Sequence, residues 1–213
     1  MARMKYPHPG ILVHIGIADA YGAGAEYLKL PRDNKIREEC LKFDHYVQHP
    51  WHKLKPGAYT DDTEMSAANA TVLAENDPPF TQIMFANSYV REFSRGGMRQ
   101  GYAGGFYDFL ASVKSGQEFL EKIKPHSDKN GACMRAPVIG VLPTVKEVLD
   151  AATIQASITH NTSAGIASAR CAALMAHFTL YEGLPFADLP AYCLGTLPAE
   201  DVDLLADIFT MPW

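Results

Sequence analysis

Apolar residues recur along this chain at the three- and four-residue spacing of a helix, and no stretch alternates apolar with polar side chains long enough to read as a strand. That pattern predicts an all-α fold. It is clearest after Asp61-Asp62-Thr63-Glu64, where Met65, Ala68, Val72 and Leu73 line one face of a helix running to about Glu75. Asn76-Asp77-Pro78-Pro79 stops that helix, because proline has no N–H to give and clashes with the preceding turn. A second helix is expected from Phe80 to Phe93, broken by Gly96-Gly97. A short aromatic one follows the glycine-rich stretch 101–105 and ends near Ser115. Thr144-Val145-Lys146-Glu147 is a capping box. It opens a helix with apolar positions at Val148, Leu149, Ala152 and Ala156. Beyond His160 small residues fill a helix to about Tyr181, and a last helix begins near Ala199. At the other end, Ile11 to Leu28 reads as a closely packed helix followed by a turn loosened by Gly22 and Gly24.

The 213 residues, 47% apolar and 20% charged, suffice for one globular domain spanning 1–213 and argue against disorder. A formal charge of -5 leaves no basic footprint for nucleic acid and no polybasic patch for anionic lipid. The apolar run from Ile11 to Ala18 is short and carries His14, so it reads neither as a leader core nor as a membrane span. Cys40, Cys133, Cys171 and Cys193 are too far apart for a zinc ribbon and fit free thiols in a reducing compartment. A soluble cytoplasmic protein is expected. His45, His49 and His52 have the spacing of a helical zinc site, but Pro50 disfavours helix there and a polar loop is expected between Pro31 and Lys55.

The chemistry concentrates in Tyr59-Thr60-Asp61-Asp62-Thr63, where two adjacent carboxylates and flanking hydroxyls sit at the start of a helix. One reading is a helix cap. The other is a set of hard oxygen ligands for Mg²⁺ or Mn²⁺, since a cap needs one such residue and not three. Taken alone, Glu26 reads as a solvated helix-end charge, His160 as a satisfied polar residue, and Gly131 as a turn. Cys133 has no recognisable His and Asn partners for a catalytic thiol.

Five blocks in order resemble the ADP-ribosylglycohydrolase family. They are Asp19-Ala20-Tyr21-Gly22-Ala23-Gly24-Ala25-Glu26, Gly57 to Met65 with its Thr-Asp-Asp-Thr core, Gly101-Tyr102-Ala103-Gly104-Gly105, Asn130-Gly131-Ala132-Cys133-Met134-Arg135, and Thr159-His160. Ala18 stands where the first block of the family usually has glycine. The resemblance implies an all-helical domain that hydrolyses the bond at the ribose C1 of ADP-ribose attached to a protein or small acceptor, using a pair of Mg²⁺ or Mn²⁺ ions. Thr60, Asp61 and Asp62 would be metal ligands, and Glu26 or Asp62 the catalytic proton acceptor. Gly101 and Gly105 would lie in the substrate loop. Gly131, Ala132, Cys133 and Met134 would approach the diphosphate, with His160 on phosphate or ribose.

The family completes its centre with a late Gly-Gly-Asp-x-Asp-Thr block, which this sequence does not contain. The nearest string, Asp201-Val202-Asp203-Leu204, reads as part of an acidic first helical turn. The chain therefore resembles the N-terminal portion of the family domain, C-terminally incomplete. Three expectations follow: a fragment, a short form that binds ADP-ribose without turnover, or a site completed by a second chain.

Overall fold

The computed structural model describes residues 8, 10–50 and 53–210. These fold into eleven α-helices, and no strand occurs among the described residues. The elements are α1 (Ile11–Gly22), α2 (Asn34–Cys40), α3 (Asp61–Glu75), α4 (Gln82–Arg95), α5 (Gly104–Ser112) and α6 (Gly116–Lys122). They continue with α7 (Gly131–Met134), α8 (Val145–Ser157), α9 (Ser163–His177), α10 (Leu189–Thr196) and α11 (Ala199–Phe209). A 3-10 turn (Pro137–Val141) follows α7, and a π turn (Phe178–Glu182) prolongs α9. The all-α expectation holds.

Hydroxyl caps set four of the helix starts. Thr60, Ser115, Thr144 and Thr162 accept from the backbone N–H of Asp62, Glu118, Glu147 and Gly165, donors that a helix start otherwise leaves unpaired. At Thr144 the capping box is altered. The Glu147 carboxylate lies 2.7 Å from the Thr144 hydroxyl, whereas the usual box sends it to the cap residue's N–H. Gly97, at φ 75, takes the left-handed conformation just past α4.

Two clusters share the core. In one, α9 packs on α8, α7, α11, α10 and the 3-10 turn. In the other, α3 packs on α1 and α4, and α4 on α6. Contacts of α3 with α7 and the 3-10 turn, and of α4 with α8, join them. Ala167, Ala169 and Ala173 of α9 are fully buried, so this helix meets its neighbours through methyl groups. At Gly140 the approach is close: a Cβ there would sit 2.6 Å from the Ala173 carbonyl oxygen and 2.7 Å from the His177 nitrogen.

The expected inner face of α3 is buried as read, and its boundaries agree with the structure. Four helices escaped the sequence reading, among them the four-residue α7. Helix α2 lies within the segment read as loop, and α6 and α10 are only seven and eight residues long. Such short helices offer two turns of periodicity at most and take their stability from packing. No helix among the described residues is long and apolar enough to cross a membrane.

Candidate active site

Helix α1 carries Asp19 in its last turn and sets it against the start of α3. There the Asp19 carboxylate accepts from the Thr60 N–H (2.8 Å), the Thr60 hydroxyl (2.7 Å), the Thr63 N–H (3.1 Å) and the Thr63 hydroxyl (2.5 Å). A carboxylate suits this place because the first N–H groups of a helix are unpaired and carry the positive end of its dipole. Thr60 is the cap residue itself. Its one hydroxyl hydrogen goes to Asp19, the nearer acceptor, with Asp62 at 3.3 Å. Thr60 and Asp19 between them make the cap, so Asp61 and Asp62 are not needed for it. Asp19 stands in the first sequence block without having been read as part of the site. Its signal was faint, because a lone Asp in a helix announces nothing about a partner 41 residues away.

Glu26 follows α1 in a tight turn. Its neighbour Tyr27 is held at φ 55, in the left-handed region that a non-glycine residue seldom occupies. The segment around His49 presses on this turn. A Cβ on Gly24 would lie 2.7 Å from the Val47 carbonyl oxygen, and the buried His49 donates from Nε2 to the Glu26 carbonyl at 2.6 Å. His45 and His49 lie outside any helix, as Pro50 implied, and His52 lies outside the described residues. His49 nonetheless has a task that the loop reading did not foresee, which is holding the Glu26 backbone. His45 remains exposed between Asp44 and Glu39.

Four carboxylates thus share one corner. Burial, then the charge of Asp62, pushes Asp61 up to about 7. Burial, then Asp19 and Glu26, pushes Asp62 up to about 6. Glu26 is raised chiefly by burial, with Asp19 adding to it. Crowded carboxylates with little water around them disfavour one another's charged form.

The later blocks reach the same corner. Helix α7 begins at Gly131, and Cys133 is close enough to Asp62 for that charge, after burial and Cys171, to raise its thiol. A thiol so placed is not an activated nucleophile. A Cβ on Gly131 would come within 3.0 Å of the His160 ring, so imidazole and glycine are in van der Waals contact. The Met134 N–H is taken by the Asn130 carbonyl at 3.0 Å; of the residues before it, Gly131 and Cys133 are half-buried and Ala132 is buried. Gly101, at φ 131, backs onto the cap: a Cβ there would lie 2.9 Å from Thr60 Cβ. Beside it Tyr102 donates to the buried Glu64 at 2.6 Å, and Arg99 pairs with the same carboxylate at 2.7 Å while lying 4.0 Å over the Tyr59 ring. These contacts pin the 96–102 segment to α3. Gly105 is exposed in the first turn of α5, and a Cβ there would touch nothing within 4 Å.

Thr60, Asp61 and Asp62 offer oxygen donors of the kind that Mg²⁺ and Mn²⁺ prefer. Even so, no group of three or more His, Cys, Asp or Glu side chains among the described residues is placed to hold an ion. Asp201 does not enlarge the set. It is buried in the first turn of α11 and ion-paired with Arg170 at 2.9 Å, as its reading as a helix-start residue implies.

The raised carboxylates give the metal-free protein a definite pH dependence. The folded state holds the Asp61 and Asp62 protons more tightly than the unfolded chain, so their contribution is present at low pH and is lost as pH climbs through about 6 and about 7. Thermal unfolding in EDTA should therefore show a melting temperature that falls between pH 5 and pH 8. Mn²⁺ should restore it more at pH 8 than at pH 5, because binding displaces protons. A melting temperature that is flat or rises over that range would contradict the crowding.

A family model for ADP-ribosylglycohydrolase matches residues 10–208, nearly the whole chain. No curated protein matches it.

Proposed function

The chain belongs to the ADP-ribosylglycohydrolase family, and from that premise we propose that it removes ADP-ribose from a modified protein or small acceptor by hydrolysis at the ribose C1. The observation that carries this reading is the meeting of Glu26, Asp61 and Asp62 at the start of α3, beside Cys133. Thr60, Asp61 and Asp62 would hold Mg²⁺ or Mn²⁺, which when bound supplies Lewis acidity and offsets the crowded charge. The donors still lacking would come from outside the described residues, a second chain included.

The chain's own residues divide the remaining work. Glu26 or Asp62 accepts the proton of the attacking water, a task suited by a carboxylate lifted above its usual range. The backbone N–H groups of Gly131, Ala132 and Cys133 face the diphosphate, with no side chain at Gly131 to hold it off. The His160 ring closes the other side of that turn. Gly101 serves by letting the 96–102 segment seat against Thr60. Gly105 and Met134 remain candidates for the substrate wall.

The test is release of free ADP-ribose from arginine-, serine- and nucleobase-linked substrates by the purified chain with Mg²⁺ or Mn²⁺. Release from at least one is expected. A second reading, ADP-ribose binding without turnover, is favoured by the Arg170–Asp201 ion pair, which takes a late carboxylate away from the site. Calorimetric binding of ADP-ribose without release from any of the three would establish that reading in place of the first.

A further inference from the structure

Arg135 is a fully buried cation whose hydrogen bonds all go to neutral acceptors. Nε donates to Gln155 Oε1 at 2.6 Å, and one terminal nitrogen donates to the Gln155 carbonyl (2.9 Å) and the Thr159 hydroxyl oxygen (2.8 Å). The guanidinium also stacks 4.8 Å from the Tyr89 ring centre. Gln155 is held in turn through its donation to the Ala132 carbonyl at 3.0 Å, and the Arg135 carbonyl accepts from Asn69 at 2.8 Å. Burying a charge is costly unless its donors are satisfied, so this network is built around the arginine.

Its consequence falls on His160. The Thr159 hydroxyl oxygen already accepts from Arg135, and 2.7 Å away stands His160 Nδ1. Arginine has no lone pair to offer, so the Thr159 hydrogen, itself buried, finds its acceptor in Nδ1. An Nδ1 that accepts leaves the ring hydrogen on Nε2. That atom is buried and has no hydrogen-bond partner among the described residues, in a residue only 6% exposed, and it lies against Gly131. Backbone bonds hold the ring in place on the far side: Ser127 donates to the Thr159 carbonyl at 3.3 Å and Asn161 to the Pro125 carbonyl at 2.6 Å.

We infer that Arg135, acting through the Thr159 hydroxyl, fixes His160 as the neutral Nε2–H tautomer, a hydrogen-bond donor aimed at a phosphate oxygen of the ligand beside Gly131. Arg135 and Thr159 are then positioning residues, and His160 binds without moving a proton. Burial, and then the Arg135 charge, lowers His160 to about 4, with Asp128 pulling the other way, which agrees with a neutral ring. The choice of ligand rests on the hydrolase reading above, whereas the tautomer does not.

Nitrogen-15 NMR of the full chain, without ligand at pH 7, should show His160 protonated at Nε2 alone. Thr159→Val removes the hydroxyl at nearly constant shape and should turn that single form into a mixture of the two neutral tautomers. It should also weaken ADP-ribose binding about tenfold in calorimetry, the loss of one hydrogen bond to a charged group. Thr159→Ser should restore both. An imidazolium or an Nδ1–H ring in the wild type overturns the inference, and so does a Thr159→Val protein that binds ADP-ribose as the wild type does. The expected tautomer in a wild type that binds no ADP-ribose would uphold the Arg135 relay and defeat the hydrolase reading instead.

Discussion

Asp61→Asn together with Asp62→Asn should abolish ADP-ribose release, a loss of at least about a thousandfold, and yet raise the melting temperature of the metal-free protein at pH 8. The two effects pull apart because the pair does not make the cap at the start of α3. Thr60 and Asp19 do. The carboxylates instead sit where burial, then neighbouring charge (Asp62 on Asp61, Asp19 and Glu26 on Asp62), pushes Asp61 to about 7 and Asp62 to about 6, so at pH 8 the folded state carries both charges against their preference. Asparagine keeps the shape and removes the charge. The gain should vanish at pH 4, where the native carboxyls are already protonated. Thermal unfolding in EDTA at the two pH values, beside a release assay with Mn²⁺, reads all of this in one preparation. A variant that is less stable than the wild type at pH 8 would return the pair to the role of an ordinary helix start.

Asp19→Ala should have the opposite signature, destabilising the fold by about 2–3 kcal/mol, the scale of a lost cap plus charge-assisted hydrogen bonds. Four donors from Thr60 and Thr63 converge on this one carboxylate, three of them on a single oxygen. Asp19→Asn is the informative companion. Its amide oxygen can keep the three bonds at Oδ2, and its NH₂ can donate to the Thr60 hydroxyl oxygen, which then turns its own hydrogen toward Asp62. A cost below about 1 kcal/mol is expected for asparagine, because relief of the negative charge near Asp61, Asp62 and Glu26 offsets the weaker bonds. Urea unfolding at pH 7 separates the pair. Equal losses in both variants would mean that charge, and not the hydrogen-bond geometry, is what Asp19 contributes.

Much of the helical plan was legible because it is written locally. The α3 boundaries follow from a threonine cap, an acidic first turn and the Asn76 to Pro79 stop, all of which act within a few residues. The α8 capping box and the acidic start of α11 were readable for the same reason. Helices α6 and α10 were not, since seven or eight residues carry too little periodicity and owe their form to what they pack on. Among the site residues, Thr60, Asp61 and Asp62 were marked by an unusual density of oxygen ligands, and Gly131 and His160 by resemblance. Asp19, Arg135 and Thr159 stand in the matching blocks, yet the Asp19 clamp, the His49 hold on Glu26 and the Arg135 relay were not legible there, because each is a bond between residues more than twenty apart in the chain.

Sequence alone determined that this chain is helical, roughly where its longer helices begin, and to which family it is related, since caps, periodicity and ordered motifs are properties of short segments. Tertiary structure decided what those motifs do. It assigned the cap to Thr60 and Asp19, left Asp61 and Asp62 crowded beside Glu26, bound Asp201 to Arg170, and set a buried arginine behind His160. The physical reason is that burial and electrostatics depend on distance in space, so the protonation and bonding of a side chain are settled only once distant segments have packed around it.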